Sequence, residues 1–275
     1  MSAPGVDLAA YCARIGHSGP LRPDLDTLRA LQERHPAAIA FEAIDVLLGR
    51  GVDLSPAAVD AKLIGAGRGG YCYEHNSLFK RVLEAIGFEV EGLIARVNWQ
   101  TAPDAPLSPP SHMALRVTVG GVRYLVDVGF GSCVPTAPLR LAAREPQSTG
   151  HEIFRLRPAG GEMQLEASIA GRWQPVYRLL PGPLLDGDYR LHNWYTSTHP
   201  DSHFRHRLIV TRTTPEARHV LADSRLTVRG RDGTVQQETL DADALETALA
   251  ERFGLPVEAA WRPAIERAAG APPSG

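Results

Sequence analysis

Two adjacent glycines constrain this chain more tightly than any other feature. Gly120-Gly121 separates two runs of alternating side chains, Met113-Ala-Leu-Arg-Val-Thr-Val119 and Val122-Arg-Tyr-Leu-Val126. A two-residue glycine turn between such runs predicts a β-hairpin of fixed register. Val119 then faces Val122, Ala114 opposes Asp127, and His112 opposes Gly129. With a side-chain period of two, Met113, Leu115, Val117, Val122, Tyr124 and Val126 share one apolar face suited to a core. His112, Ala114 and Asp127 share the other. His112 and Asp127 become diagonal neighbours, roughly 7–8 Å apart between backbones and within side-chain reach. An odd-length turn would reverse the parity and separate them.

A second constraint lies upstream. Gly65-Ala-Gly-Arg-Gly-Gly70 interrupts the helical pattern, after which Phe79, Val82, Leu83 and Ile86 recur at helical spacing and Gly87 supplies a stop. Cys72 falls where the glycine loop hands over to this helix, so unpaired N–H groups and the helix dipole favour its thiolate. The glycines let the backbone approach a substrate closely, and adjacent N–H groups could form an oxyanion hole. Cys12, Cys72 and Cys133 are odd in number and widely spaced, which argues against a disulfide framework. Cys12 and Cys133 read as structural. A free thiol is most often a small buried hydrophobe, but beside a His–Asp pair it completes a nucleophile–base–orienter set for covalent acyl transfer. Lysine is confined to Lys62 and Lys80, so Schiff-base chemistry has few candidates.

Composition narrows the class. The 275 residues are 44% apolar and 22% charged, enough for one large domain or two with a sizeable core. A net charge of −2 argues against a nucleic-acid partner. No apolar run approaches the roughly 18 residues of a membrane helix, and Met1–Leu8 lacks signal-peptide character, so a soluble, cytoplasmic protein is expected. Helices are expected at Tyr11–Ile15, around Leu25–Leu31, over Phe41–Leu48, and from Ser55-Pro56. Strands are expected at 88–99, 112–119, 122–128, 152–157, 163–169, 173–179, 206–213 and 225–229. A proline-rich loop over Thr101–Ser111, a helix over Leu240–Phe253 and a disordered tail from Gly270 complete the pattern. This order is α+β, not alternating βαβ.

Arg68-Gly-Gly-Tyr-Cys-Tyr-Glu-His-Asn76 resembles the signature of the arylamine N-acetyltransferases. The resemblance continues through Ser111-His112-Met113, Leu125-Val-Asp-Val-Gly-Phe-Gly131, Pro135-Thr136, Pro138-Leu-Arg-Leu141 and Asn193–Phe204. On this resemblance Cys72, His112 and Asp127 fall on the family's catalytic triad. The implied reaction is ping-pong: Cys72 takes an acetyl group from acetyl-CoA, a co-substrate with no bound cofactor or metal, and passes it to an aromatic amine or hydrazine, as in xenobiotic metabolism. The implied fold is an N-terminal helical bundle, a central antiparallel β-barrel and a C-terminal α/β lid, with a cysteine-protease/transglutaminase-like core. Residues 1–90 would carry the nucleophile, 91–200 the His and Asp, and 201–275 the lid and tail. By motif, Arg68 would pair with Glu42 to brace the loop, and Tyr71, Val97, Phe130, Gly131 and Phe204 would line an apolar acceptor pocket. Two positions depart from the pattern: Ala43 stands where asparagine is expected, and Ser132 where a further glycine is common. Homo-oligomerisation is left open. A macrolactam-forming amide synthase or a cysteine hydrolase would need the same three residues, whereas a binding module would leave Cys72 unreactive.

Two further clusters weigh less. His199, Asp201, His203 and His206 have metal-like spacing, but Pro200 breaks the helix that would converge them, so a pocket-lining loop is expected instead. Seven arginines, at 205, 207, 212, 218, 225, 229 and 231, mark a segment that reads either as attracting, in part, the CoA phosphates or as a solvated lid face.

Overall fold

The computed structural model describes residues 5–102 and 104–271; Pro103 of the proline-rich loop and the tail beyond Ala271 lie outside the described residues. Gly120 and Gly121 both take positive φ, 56° and 75°, and turn the chain between strands β3 (Pro110–Val119) and β4 (Val122–Val126). Val119 pairs with Val122 and Leu115 with Val126, the expected register. The two faces separate as the parity requires. Met113, Leu115, Val117, Tyr124 and Val126 pack with the helices, while Ala114 and Leu125 enter a second core.

Helices α1 (Leu8–Ile15), α2 (Leu25–Ala38), α4 (Pro56–Asp60) and α5 (Cys72–Ile86) build the N-terminal part. Asp7, Asp24 and Ser55 accept backbone N–H groups at the starts of the first three. Gly87, at φ 105°, ends α5. One expectation fails here. Phe41–Leu48 is not a single helix: Phe41–Glu42 form strand β1, and only α3 (Ile44–Leu47) is helical. Tertiary pairing overrides local spacing, since Glu42 N–H donates to Gly70 O at 2.8 Å and Phe41 pairs with Thr211.

The central part is antiparallel. Strands β2 (Glu89–Val97), β5 (Leu139–Arg140), β6 (Gln147–Ser148), β7 (Ile153–Ala159), β8 (Glu162–Ile169) and β9 (Arg172–Leu179) join β3 and β4 in an eight-stranded sheet ordered β5-β4-β3-β2-β9-β8-β7-β6. It curls into a nearly closed barrel around Leu93, Ala114, Leu125, Phe154, Leu165 and Tyr177. Its two edges meet through one side chain. The Gln147 carboxamide accepts Arg140 N–H at 2.7 Å and donates to Arg140 O at 3.1 Å, standing in for a missing peptide pair.

Beyond the barrel come α6 (Asp186–Thr198) and strands β10 (Ile209–Thr213), β11 (Ala217–Ala222), β12 (Arg225–Gly230) and β13 (Val235–Thr239). Helices α7 (Ala242–Glu251) and α8 (Arg262–Ala269) cover a five-stranded sheet ordered β1-β10-β11-β12-β13. Val210, Leu221, Leu226, Leu249, Trp261 and Ile265 form its core. The α+β class stands, and among the described residues no helix is long and apolar enough to cross a membrane.

A polar chain crosses the helical core. The Ala40 carbonyl can only accept, so His75 Nε2–H donates to it at 3.2 Å. Neutral His75 then accepts at Nδ1 from His35 Nε2–H at 2.8 Å, and His35 Nδ1 accepts from the Tyr11 hydroxyl at 2.8 Å. All three side chains are fully buried. Burial holds His75 down to about 4 and His35 well below the ordinary imidazole value. Unfolding returns His75 to an ordinary imidazole near 6.5, so the unfolded chain binds more protons between these values. The stability this residue contributes is present above pH 6.5 and is lost as pH falls through about 4, at most roughly 3 kcal/mol. Urea denaturation across that window should show a steeper loss for the native chain than for His75→Gln; equal slopes would refute the assignment.

Candidate active site

Cys72 opens α5, His112 lies near the start of β3, and Asp127 follows the last residue of β4. The fold brings the three together. His112 Nε2 lies 2.7 Å from Asp127 Oδ2, and both side chains are buried. The carboxylate occupies Nε2, and His112 is also in side-chain contact with Cys72. Cys72 Sγ lies 3.6 Å from the carbonyl of Ser111. Burial alone would lower the His112 pKa. The Asp127 charge and hydrogen bond, with the contact to Cys72, outweigh it and push the ring up to about 10.

Asn76, one helical turn after Cys72, fastens the helix to the hairpin. Its Nδ2 donates to Asp127 Oδ1 at 3.0 Å and to Met113 O at 2.7 Å, and its Oδ1 accepts Val128 N–H at 3.2 Å. Gly129 N–H gives Asp127 Oδ1 a further donor at 2.9 Å. Asn76 belongs to the quoted motif, yet its spacing alone did not reveal this role; sharing a helix face with Cys72 was the available signal.

The glycine loop is held from several sides. The Arg14 guanidinium donates to Ala38 O at 2.7 Å, Leu63 O at 3.0 Å and Gly67 O at 3.1 Å. A Cβ on Gly69 would collide with Ala40 O. Glu74 Oε2 accepts Tyr71 N–H at 2.9 Å, while Oε1 takes Lys62 Nζ at 2.8 Å. Arg68 and Glu42 do meet, 2.7 Å apart, and Arg68 also reaches Asp45 at 3.3 Å and Glu258 at 3.2 Å. Its guanidinium stacks 4.6 Å from the ring of Trp261. The second Glu42 oxygen accepts Ile44 N–H at 2.8 Å, capping α3 where Ala43 has no side chain to do so.

The expected pocket residues fall into two aromatic groups. Phe130 stands edge-on to His112 at 5.0 Å, beside Tyr177, which lies 5.0 Å from the same ring. Val97 is the strand partner of Tyr177. Tyr71 is fully buried, donates its hydroxyl to Asn193 and lies 6.1 Å from Phe204, which in turn meets Phe41 at 5.9 Å. Gly131 sits against Phe41 and Thr211, between the two groups. Tyr177 had no signal in the sequence pattern, Asn193 stood only within the Asn193–Phe204 resemblance, and Phe41 only within an expected helix. Burial pushes Cys133 up to about 12 and raises Cys12, in keeping with their structural reading.

The remaining clusters have local partners. His199 stacks on Tyr195 at 4.5 Å, His203 lies against Phe204 at 3.9 Å, and His206 Nε2 is 2.6 Å from Pro200 O. Among the described residues, no group of three or more His, Cys, Asp or Glu could hold a metal ion. The arginine segment has several partners within the protein. Arg218 is buried against Glu152, Arg212 donates to Ala37 O, Arg229 to Ser132 O, Arg205 to Thr198 O, and Arg207 pairs with Asp223. Five of the seven thus have partners within the protein.

Helices packed on a nearly closed antiparallel barrel, with an α/β part beyond, define a fold shared with solved acetyltransferases. The M. smegmatis arylamine N-acetyltransferase structure superposes with a TM-score of 0.91 at 44% identity, covering 97% of this chain and 98% of that one. The Mycobacterium marinum enzyme, solved in complex with CoA, gives 0.90 at 40%, covering 96% and 98%. In sequence, the arylamine N-acetyltransferase of Escherichia coli K12 is 37% identical over 250 residues, 90% of this chain and 88% of its own. A family model described as N-acetyltransferase matches residues 24–262. The chain belongs to the arylamine N-acetyltransferase family.

Gly129 lies close against the first turn of α5. A Cβ there would lie 2.8 Å from Asn76 Nδ2 and 2.9 Å from Cys72 Cα. Gly129→Ala should destabilise the protein by roughly 1–3 kcal/mol in urea titration, because Cys72 Cα is backbone and Asn76 Nδ2 is held by its bonds to Met113 O and Asp127; an unchanged midpoint would contradict that packing.

Proposed function

We propose that this protein transfers an acetyl group from acetyl-CoA to the nitrogen of an aromatic amine or hydrazine, by a ping-pong route through acetyl-Cys72. The observation that carries this reading is the buried His112–Asp127 hydrogen bond, with the His112 side chain also in contact with Cys72. Residues 1–90 supply the nucleophile, 91–200 the imidazole and carboxylate, and 201–275 the lid. Three free cysteines suit a reducing cytoplasm, where a role in xenobiotic metabolism would lie.

In the first half-reaction the Cys72 thiolate, paired with the His112 imidazolium, attacks the thioester carbonyl. The N–H groups of the first turn of α5 have no intrahelical partner and stabilise the oxyanion. The tetrahedral adduct collapses, the bond to the CoA sulfur breaks, and His112 delivers the proton to the departing thiolate. In the second half-reaction a neutral amine attacks the Cys72 thioester and His112 takes the proton from nitrogen. The Cys72 thiolate then leaves, restoring the starting pair. Asp127 holds the ring in one tautomer throughout. Weakly basic aromatic amines suit the step because they are neutral near pH 7. That the M. marinum relative was solved with CoA supports the donor.

Intact-protein mass spectrometry after mixing with acetyl-CoA, without acceptor, should show one acetyl adduct on Cys72 and none on Cys133. Addition of an arylamine should discharge it faster than water does. No adduct, no adduct dependence on Cys72 in Cys72→Ala, or discharge by water alone at the same rate would overturn the reading. Asp127→Asn should slow acetylation by roughly a hundredfold or more, because it leaves the imidazole in the wrong tautomer; a near-native rate would exclude the orienting role.

A further inference from the structure

Tyr11, His35 and His75 are buried titratable groups with no part in the steps above. The carbonyl at the end of their chain has a second task. Ala40 O accepts Gly70 N–H at 3.3 Å as well as His75 Nε2–H, and Gly70 O accepts Glu42 N–H at 2.8 Å. Phe41 and Gly70 thereby form a one-rung parallel bridge. Gly70 lies two residues before Cys72, and His75 lies three after it on the same helix. One of the points that hold the backbone aiming Cys72 is thus the Ala40 carbonyl, and His75 grips that carbonyl from inside the core.

We propose that Tyr11, His35 and His75 are positioning residues for Cys72: their one-directional hydrogen-bond chain fixes Ala40 O, and with it the glycine turn that presents the thiol. This rests on the reading of Cys72 as the acetyl carrier. The direction of the chain is its essential property. If His75 changed tautomer, a nitrogen lone pair would face the Ala40 lone pairs and the grip would become a repulsion. The Tyr11 hydroxyl opposes that reversal by offering His35 Nδ1 a donor. Phenylalanine at 75 fills the space but cannot donate. Glutamine can both donate to Ala40 O and accept from His35.

Long-range ¹H–¹⁵N NMR should find both rings as neutral Nε2–H tautomers near pH 7; a Nδ1–H or charged form of either ring overturns the proposal. In single-turnover acetylation, His75→Phe should slow transfer to Cys72 by roughly 10- to 100-fold at saturating acetyl-CoA. Its half-saturating concentration should not move, and His75→Gln should recover the rate to within a few fold. A His75→Phe rate equal to native, or rates that merely follow the melting temperatures of the variants, would overturn it. Should His75→Phe not fold, Tyr11→Phe keeps the volume and must show both a Nδ1–H population at His35 and slower transfer; neither change would refute the relay. Alkylation of Cys72 by iodoacetamide, which needs no acetyl-CoA, should rank the variants in the same order. A native protein that alkylates but takes no acetyl group sinks the functional reading, while the alkylation ranking and the tautomers still decide the relay.

Discussion

The Asp127 carboxylate is the junction on which the arrangement depends. It is fully buried, and it receives three donors from three places: His112 Nε2 on β3, Asn76 Nδ2 on α5 and Gly129 N–H on the chain leaving β4. A carboxylate removed from water costs several kcal/mol unless its oxygens are so satisfied. The same three bonds that make its burial tolerable also join helix to hairpin. The hydrophobic faces on either side of β3 and β4 then have no freedom to slide, because a slip would strand that charge.

A second electrostatic assembly works at the other end of the glycine loop. Lys62 and Arg68 are embedded among Glu42, Asp45, Glu74 and Glu258, and Arg68 also lies on Trp261. Opposite charges at these distances are strongly coupled in a partly dry setting. The network draws on β1, α3, α5 and the segment before α8, so the thiol-bearing turn is tied to parts of the chain that are remote in sequence.

What could be read from the residues follows from where the physics is local. Gly120-Gly121 determines a register within a few residues, so the pairing of His112 with Asp127 and the sorting of Met113 and Leu115 from Ala114 were all readable. The Ser55 and Gly87 caps are equally local. Phe41–Glu42 was misread as helix because its strand partner, Thr211–Val210, lies far along the chain. Helix α6 carries Leu191 and Trp194 on an exposed face, which erased its amphipathic signature. Strand β13 is exposed along its length and offered no alternation. For the arginine segment, the sequence could not say which side chains have acceptors within the protein, and five of the seven do. Tyr177 gains its role from distant elements, which nothing in its own segment could express, whereas Asn76 offered only its place on the helix face of Cys72.

The two-residue strand β1 has a consequence for biosynthesis. Phe41 and Glu42 complete an edge whose neighbour, Thr211 and Val210, is translated about 170 residues later. The entropy of closing so long a loop grows only slowly with its length, but such contacts form late in folding. A nascent chain that has emerged through the barrel but not beyond it holds its sulfur, ring and acid groups without the clasp behind them. Completion of that edge is therefore deferred until the ribosome has delivered about three-quarters of the 275 residues.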